Sequence, residues 1–405
     1  MMTQINKIFF GIIFYPLFIM SKLIPKSNNV WIFGAWYGNR YSDNTSYLFE
    51  YIHKEKLPIK AIWLSNKNKI ISHLRSKGYR AFNKNSIFGF YYGCRAAVSF
   101  VNCGYSDVNR YAIGKSLKVQ LWHGIPLKKI KYDDEINENK PHNPYYNRVK
   151  SALLFIFPFF NDNWDFIISS SEDVSQRMAS AFRVDLVKII ETGYPRMDKI
   201  LSPKDELLNI FPQTKDWKQF SKIILYAPTH RREGRGGASL FDSMDYLKFN
   251  EILSNENAGM FIKMHYYHEL NNNYLFDKSF SNIILLEESD VADINTILPF
   301  VDVLISDYSG VVLDYLILDR PIIPTSFDLE EYITKDRELY EDYTKTVMGI
   351  NCNNWEQVQN KLQEIFAGND LSSPCRKKML GRFFKYSDPN NCKRIIDTVT
   401  DHLNT

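Results

Sequence analysis

The stretch that decides the fold is VDVLISDYSGVVLDYLILDRPIIP, residues 301–324. A short apolar run ends at Ser306, and a second one, Ile322 and Ile323, closes the stretch. Between them stand a polar turn, Asp307-Tyr308-Ser309-Gly310, and then VVLDYLIL with helical spacing. Strand, turn, helix and strand in that order form a βαβ unit. The strands are apolar throughout rather than alternating, which signals burial on both faces and a parallel sheet covered by helices.

The same pattern recurs outward from this unit. Strands are predicted upstream at 223–226, 260–264 and 283–286, completing one series with 303–306 and 321–324. An earlier series is predicted at 30–33, 59–64, 96–100, 119–122, 166–169 and 188–191. Two successive series imply two α/β halves. The polar, twice proline-interrupted segment 202–221 separates them, giving domains at 28–215 and 216–405, with a terminal helix able to pack back on the first domain. Ligands of such sheets bind beyond the carboxyl ends of the strands, and two halves create a cleft between them.

Composition limits the function classes. The chain has 405 residues, 45% of them hydrophobic and 15% aromatic, enough to bury a substantial core and to exclude whole-chain disorder. Lys+Arg 50 against Asp+Glu 46 gives net +4, too balanced for a nucleic-acid binder to be the default. The five cysteines are scattered with no CxxC pair, which argues against a disulfide framework or a zinc site and fits a reducing compartment.

Residues 1–27 form a separate apolar segment. Residues 8–20 read IFFGIIFYPLFIM, flanked by Lys7, Lys22 and Lys26, with no acidic residue before Asp43. The run is shorter than the roughly 20 residues of a spanning helix and carries Pro16. No small-residue cleavage site follows it. An interfacial helix on an anionic membrane surface is the preferred expectation, ahead of a buried helix and of a signal or span. It places the protein peripherally on the cytoplasmic face of the cell membrane.

Four strand ends carry residues capable of chemistry. In Gln120-Leu-Trp-His123-Gly124-Ile-Pro-Leu-Lys128-Lys129, a histidine at a strand terminus is placed for general-base work, with two lysines behind it for an anion; a turn-capping histidine is the plainer alternative. In Tyr226-Ala-Pro-Thr229-His230-Arg231, hydroxyl and guanidinium groups suit a phosphate or diphosphate, and the Gly-rich loop behind them reads as a solvated basic loop. In Lys263-Met-His265-Tyr-Tyr-His268-Glu269, Lys263 and His265 share one face of the strand; a second acid/base histidine or phosphate donor is favoured over a metal site, because no third ligand stands nearby and HExxH is absent. In Ser306-Asp307-Tyr308-Ser309-Gly310 with Asp314, the hydroxyls and N–H groups opening a helix offer both a cap and an anion site. No Walker A, GxGxxG, GxSxG or kinase signature and no persuasive DxD pair occurs, so no catalytic metal is expected.

Taken in order, these stretches resemble the CDP-glycerol glycerophosphotransferase family of teichoic-acid and capsule polymerases. The matching pieces are YSDNTSYL at 41–48, QLWHGIPLKK at 120–129, TGYPRMD at 192–198, YAPTHR at 226–231, KMH at 263–265 and SDYSGVVLDYLILDRPII at 306–323. The resemblance implies a GT-B-like α/β fold, with two Rossmann-type doubly wound domains facing a central cleft. It implies transfer of an alditol phosphate from a CDP-alditol donor, CDP-glycerol or CDP-ribitol, to a lipid-linked or glycan acceptor, with release of CMP and no required cofactor. His123 and His265 fall on the family's catalytic histidines. Thr229, Arg231, Lys263, Ser306, Asp307, Ser309, Gly310 and Asp314 fall on the donor side, and Asn44, Gly124, Lys128, Lys129 and Arg196 on the acceptor side or cleft. Two positions depart from the pattern: Tyr266 replaces a proline and Gly310 replaces a serine. Two other classes share parts of this signature, a GT-B glycosyltransferase using a nucleotide sugar and a non-catalytic binder of anionic lipid or polymer.

Overall fold

The computed structural model describes residues 4–136, 144–202, 217–231, 241, 243–264, 280–287, 289–291, 293–343 and 351–405. Its described residues form two parallel sheets. The first holds β1 (Ser27–Phe33), β2 (Lys60–Ser65), β3 (Arg80–Asn83), β4 (Ala96–Val101), β5 (Leu117–Gln120), β6 (Phe166–Ser169) and β7 (Ile189–Glu191) in the order β3-β2-β1-β4-β5-β6-β7. The second holds β8 (Lys222–Ala227), β9 (Ala258–Lys263), β10 (Ile283–Leu286), β11 (Val303–Ser306) and β12 (Ile322–Pro324) in the order β10-β9-β8-β11-β12. Every strand of the two predicted series is present. Only β3 escaped the reading: RAFN is a short edge strand with an exposed Arg80, so it lacks the apolar run that marks the inner strands.

The burial that forces this arrangement is visible strand by strand. All six residues of β4 and all six of β9 are buried, as a sheet covered on both faces requires. Trp31, Trp63 and Trp164 fill the first domain's core, and Trp355 packs against the second sheet's outer face.

Strand order places the site. In each sheet the winding reverses once, between β1 and β4 in the first and between β8 and β11 in the second. Chain segments leaving neighbouring strands diverge at such a switch point and open a crevice. The two crevices face each other.

Two terminal helices pack on the first domain. Helix Gln4–Leu23 carries Pro16 and anchors through Phe18, whose ring lies 5.0 Å from that of Phe159, and through the Ser21 hydroxyl, which accepts from Gly114 N at 3.2 Å. Its other side is bare: Phe9 is 59% and Ile12 63% exposed. Among the described residues no helix is long and apolar enough to cross a membrane. Helix Asn391–Asn404 returns to the first domain, where the Asp198 carboxylate accepts the N–H groups of Asn391 and Cys392, each at 2.8 Å.

Candidate active site

A cleft of about 370 Å³ opens at the facing switch points. Its N-terminal wall comes from the segment after β1, with Trp36, Arg40, Ser42 and Asp43, and from His123 after β5. Its C-terminal wall comes from Ala227 and Pro228 after β8, Lys263 and Met264 at the end of β9, and Ser309 and Gly310 after β11. Arg196, Asp314, Asp293 and Asn295 complete the lining.

Arg196 is the hub. It opens the helix Pro195–Leu201 and is buried. Its Nη2 stands 2.9 Å from Asp314 Oδ1 on the opposite domain, while Nη1 donates to the His123 carbonyl at 3.0 Å and lies 3.6 Å from Asp43 Oδ1. Asn44 fastens the group from below: its Oδ1 accepts Arg196 N at 3.1 Å and its amide donates to the carbonyls of Leu121 and Trp122 at 3.1 and 2.9 Å. Asp293 joins across the interface, accepting Tyr47 Oη–H at 2.7 Å and Asp43 N at 3.3 Å. One guanidinium thus serves several carboxylates. Burial pushes Asp43 up to about 7 and Asp314 up to about 6, with Arg196 opposing and Asp293 reinforcing the rise in both.

His123 is held between two indoles, its ring 3.9 Å from Trp122 and 5.2 Å from Trp36, centroid to centroid. Burial pushes its pKa down to about 3, and the nearby Arg196 and Lys131 charges push the same way. The imidazole is therefore neutral, and its Nδ1 has no hydrogen-bond partner among the described residues. A neutral imidazole in a cleft with one ring nitrogen unpartnered can accept a proton there, and an anion bound beside it raises its basicity. Trp36 (φ 48), Asp43 (φ 69) and Trp122 (φ 49) all occupy the left-handed region around it. Such strain persists only where packing over-determines it, and it clusters at functional sites.

The other residues singled out in the sequence divide by location. Lys263, Ser309, Gly310, Asp314, Arg196 and His123 line the cleft. Gly124 is buried beneath Arg196 with φ +142. Arg231, expected on the diphosphate, is 1% exposed and closed into ion pairs with Asp307 at 2.6 Å and Asp328 at 2.7 Å, sandwiched near Tyr308 and Tyr332. Asp307 also accepts Thr229 N at 2.8 Å, and the Ser306 hydroxyl donates to the Ala227 carbonyl at 2.6 Å. These groups, Thr229 included, hold the β8 and β11 loops together behind the cleft rather than line it. Lys128 and Lys129 also lie off the lining, against the segment near Glu338: Lys129 Nζ is 3.3 Å from that carboxylate, and burial lowers Lys128 to about 8. His265, His268, the loop 232–237 and most of the 202–221 boundary lie outside the described residues.

Sequence reading missed Trp36, Arg40, Ser42, Asp43, Asp293 and Asn295. Asp43 lay beside Asn44 in the quoted YSDN and could have been found there. Asp293 and Asn295 sit in a polar stretch with no turn or strand signal to single them out.

Comparison with known proteins agrees with this geometry. Over 391 residues the chain is 27% identical to the teichoic acid glycerol-phosphate transferase of Staphylococcus aureus, covering 95% of this chain and 96% of that one. It is 28% identical over 392 residues to the teichoic acid poly(glycerol phosphate) polymerase of Bacillus subtilis, of which it spans 50%. A solved structure of the wall teichoic acid polymerase TagF superposes with a TM-score of 0.75 at 20% identity, over 100% of this chain and 99% of that one, so the two share the GT-B-like fold. Residues 16–401 match the CDP-Glycerol:Poly(glycerophosphate) glycerophosphotransferase family, and the chain belongs to it.

Proposed function

We propose that this protein transfers an alditol phosphate, glycerol phosphate above all, from a CDP-alditol to an acceptor hydroxyl in the synthesis of a teichoic-acid-like or capsular polymer. The observation that carries the reading is His123, neutral and with its Nδ1 unpartnered among the described residues, in a cleft between two switch points, in a chain of this family. The acceptor oxygen attacks the β-phosphorus of the donor and its proton passes to His123. The new P–O bond forms as the bond to the CMP oxygen breaks, and CMP leaves with that electron pair. Such transfers depend on positioning and on neutralising the phosphoryl oxygens. Lys263 on the C-terminal wall supplies a cation for the donor diphosphate.

The bare apolar side of helix Gln4–Leu23 supports peripheral attachment to the cytoplasmic membrane surface, where a lipid-linked acceptor would be presented. The test of the activity is CMP release from CDP-glycerol and CDP-ribitol in parallel, with and without a short phosphoalditol or glycan acceptor. Acceptor-dependent CMP from one donor establishes the reaction and names the alditol. No CMP from either, with folded protein, sinks the reading in favour of a nucleotide-sugar donor.

A further inference from the structure

Strands β1 and β4 border the switch point of the first sheet, and the loops that leave them flank His123. The β1 loop carries Trp36, whose ring centroid lies 5.2 Å from that of His123. The β4 loop carries Asn102, whose backbone is hydrogen-bonded to the imidazole in the sense that favours its protonated form. Local preference holds neither loop in place. Trp36 and Tyr37 stand consecutively in the left-handed region, φ 48 and φ 60, which their side chains disfavour. Asn102 and Cys103 lie beyond the end of β4, so their N–H groups need partners outside the sheet.

One carboxylate holds both loops. Asp107, at the end of the short helical turn Tyr105–Asp107, is fully buried and stands outside the cleft lining. Its Oδ2 accepts the N–H groups of Asn102 at 2.8 Å and Cys103 at 2.7 Å. Its Oδ1 accepts Tyr37 N–H at 2.7 Å, and Lys84 Nζ holds the Tyr37 carbonyl at 2.9 Å. The β4 loop passes the constraint on, because Asn102 Oδ1 accepts the Thr45 hydroxyl at 2.8 Å, next to Asn44. Hydrogen bonds to a carboxylate are roughly twice as strong as neutral ones, which suits them to hold a strained pair such as Trp36 and Tyr37.

We propose that Asp107 is a positioning residue for the reaction: from outside the cleft it fixes the loops on either side of His123, and through them the setting of the imidazole. The proposal rests on the phosphotransferase reading and deepens it, because it makes the proton acceptor depend on a carboxylate that contacts neither the ring nor the lining.

The test is Asp107→Asn. The amide has one acceptor oxygen where the carboxylate has two, so one of the two loops loses its hold while the other keeps it. For CMP release from CDP-glycerol, kcat is expected to fall about tenfold or more, part of the hundredfold or more that a general base supplies. KM for CDP-glycerol should stay within about twofold, because the lining is untouched. The ring 1H and 15N signals of His123, identified by their loss in His123→Gln, should shift: by ring current if Trp36 moves, by tautomer if Asn102 moves. A purely structural carboxylate would lower the unfolding midpoint and leave kcat and the His123 signals of the folded protein unchanged, and that result overturns the proposal. If Asp107→Asn does not fold, Thr45→Val replaces it, since it removes the hydroxyl that steadies Asn102. A lower kcat at unchanged KM then supports the proposal, and wild-type kcat overturns it. If the wild-type protein releases no CMP, the phosphotransferase reading fails by itself. The His123 signals then decide the positioning role: a shift in Asp107→Asn supports it, and none overturns it.

Discussion

Arg196 Nη2 stands 2.9 Å from Asp314 Oδ1, and this pair joins the two domains at the floor of the cleft. Both residues are buried, and Arg196 serves Asp43 as well. Removing one partner of a buried ion pair leaves an uncompensated charge, which costs about 3–5 kcal/mol. Arg196→Met is expected to destabilise the protein by that order in chemical denaturation, and to lower turnover because the His123 carbonyl loses its donor. Wild-type stability in the variant would show that the hub is structurally idle.

Asp43 gives a pH signature with a fixed sign. Its folded-state pKa, raised to about 7 by burial, lies above that of the unfolded chain, so the native state binds the extra proton. That contribution is complete at low pH and is lost as pH rises from the unfolded value through about 7. Asp43→Asn removes it while still able to accept the Asn44 N–H. Relative to wild type, the variant should gain about 2–3 kcal/mol of stability between pH 5 and pH 8. Parallel unfolding at the two pH values checks this, and a constant difference between the proteins would rule out the shift.

His123→Ala should reduce CMP release by at least about a hundredfold if the imidazole takes the acceptor proton. The fall should appear in kcat, with CDP-glycerol affinity close to that of wild type. Near-normal turnover would move the proton acceptor elsewhere in the cleft, with Asp43 the first candidate on the lining.

Gly124 occupies a place where a side chain has no room. Its φ of +142 disfavours any other residue, and a Cβ would collide with Arg196 Nη2. Gly124→Ala should displace the guanidinium from Asp314, costing about 1–3 kcal/mol in stability and more in activity than in fold. A variant with unaltered activity would show that the Arg196 position is not critical.

Membrane attachment is tested on the exposed face of the first helix. Phe9→Asp together with Ile12→Asp touches residues that are 59% and 63% exposed, so folding should be unaffected. The partition constant onto phosphatidylglycerol vesicles, read by co-sedimentation, should drop by about a hundredfold or more, each lost apolar side chain contributing about 1.5–3 kcal/mol of burial. Unchanged sedimentation would assign that face another partner.

Much of the fold was readable because burial on two faces writes itself into composition. Strands such as AAVSFV at 96–101 and AGMFIK at 258–263 carry no solvent-facing alternation and can only be inner strands of a covered sheet. RAFN at 80–83 was invisible because an edge strand tolerates Arg and Asn. His123 was legible as a site residue because it follows a strand directly and precedes Gly-x-Pro. Arg231 was equally legible as a cation but not as a spent one: Asp307 and Asp328 reach it from distant positions in the chain.

Local pattern fixed what depends on neighbours in the chain: two parallel α/β halves, an apolar leading helix, and polar groups gathered at the strand ends. Which of those groups share a cavity depends on where each sheet reverses its winding and on how the two domains meet, and neither is a property of any single window. Asp43, Arg196 and Asp314 lie far apart in the chain and carry no common motif. They converge because β1 and β11 both border a switch point and the two crevices face each other, so a buried guanidinium and several carboxylates must satisfy one another there. The family resemblance had already placed Arg196 in the cleft, and the lining holds it there; that Arg231 braces the wall behind the site instead was decided by the tertiary structure alone.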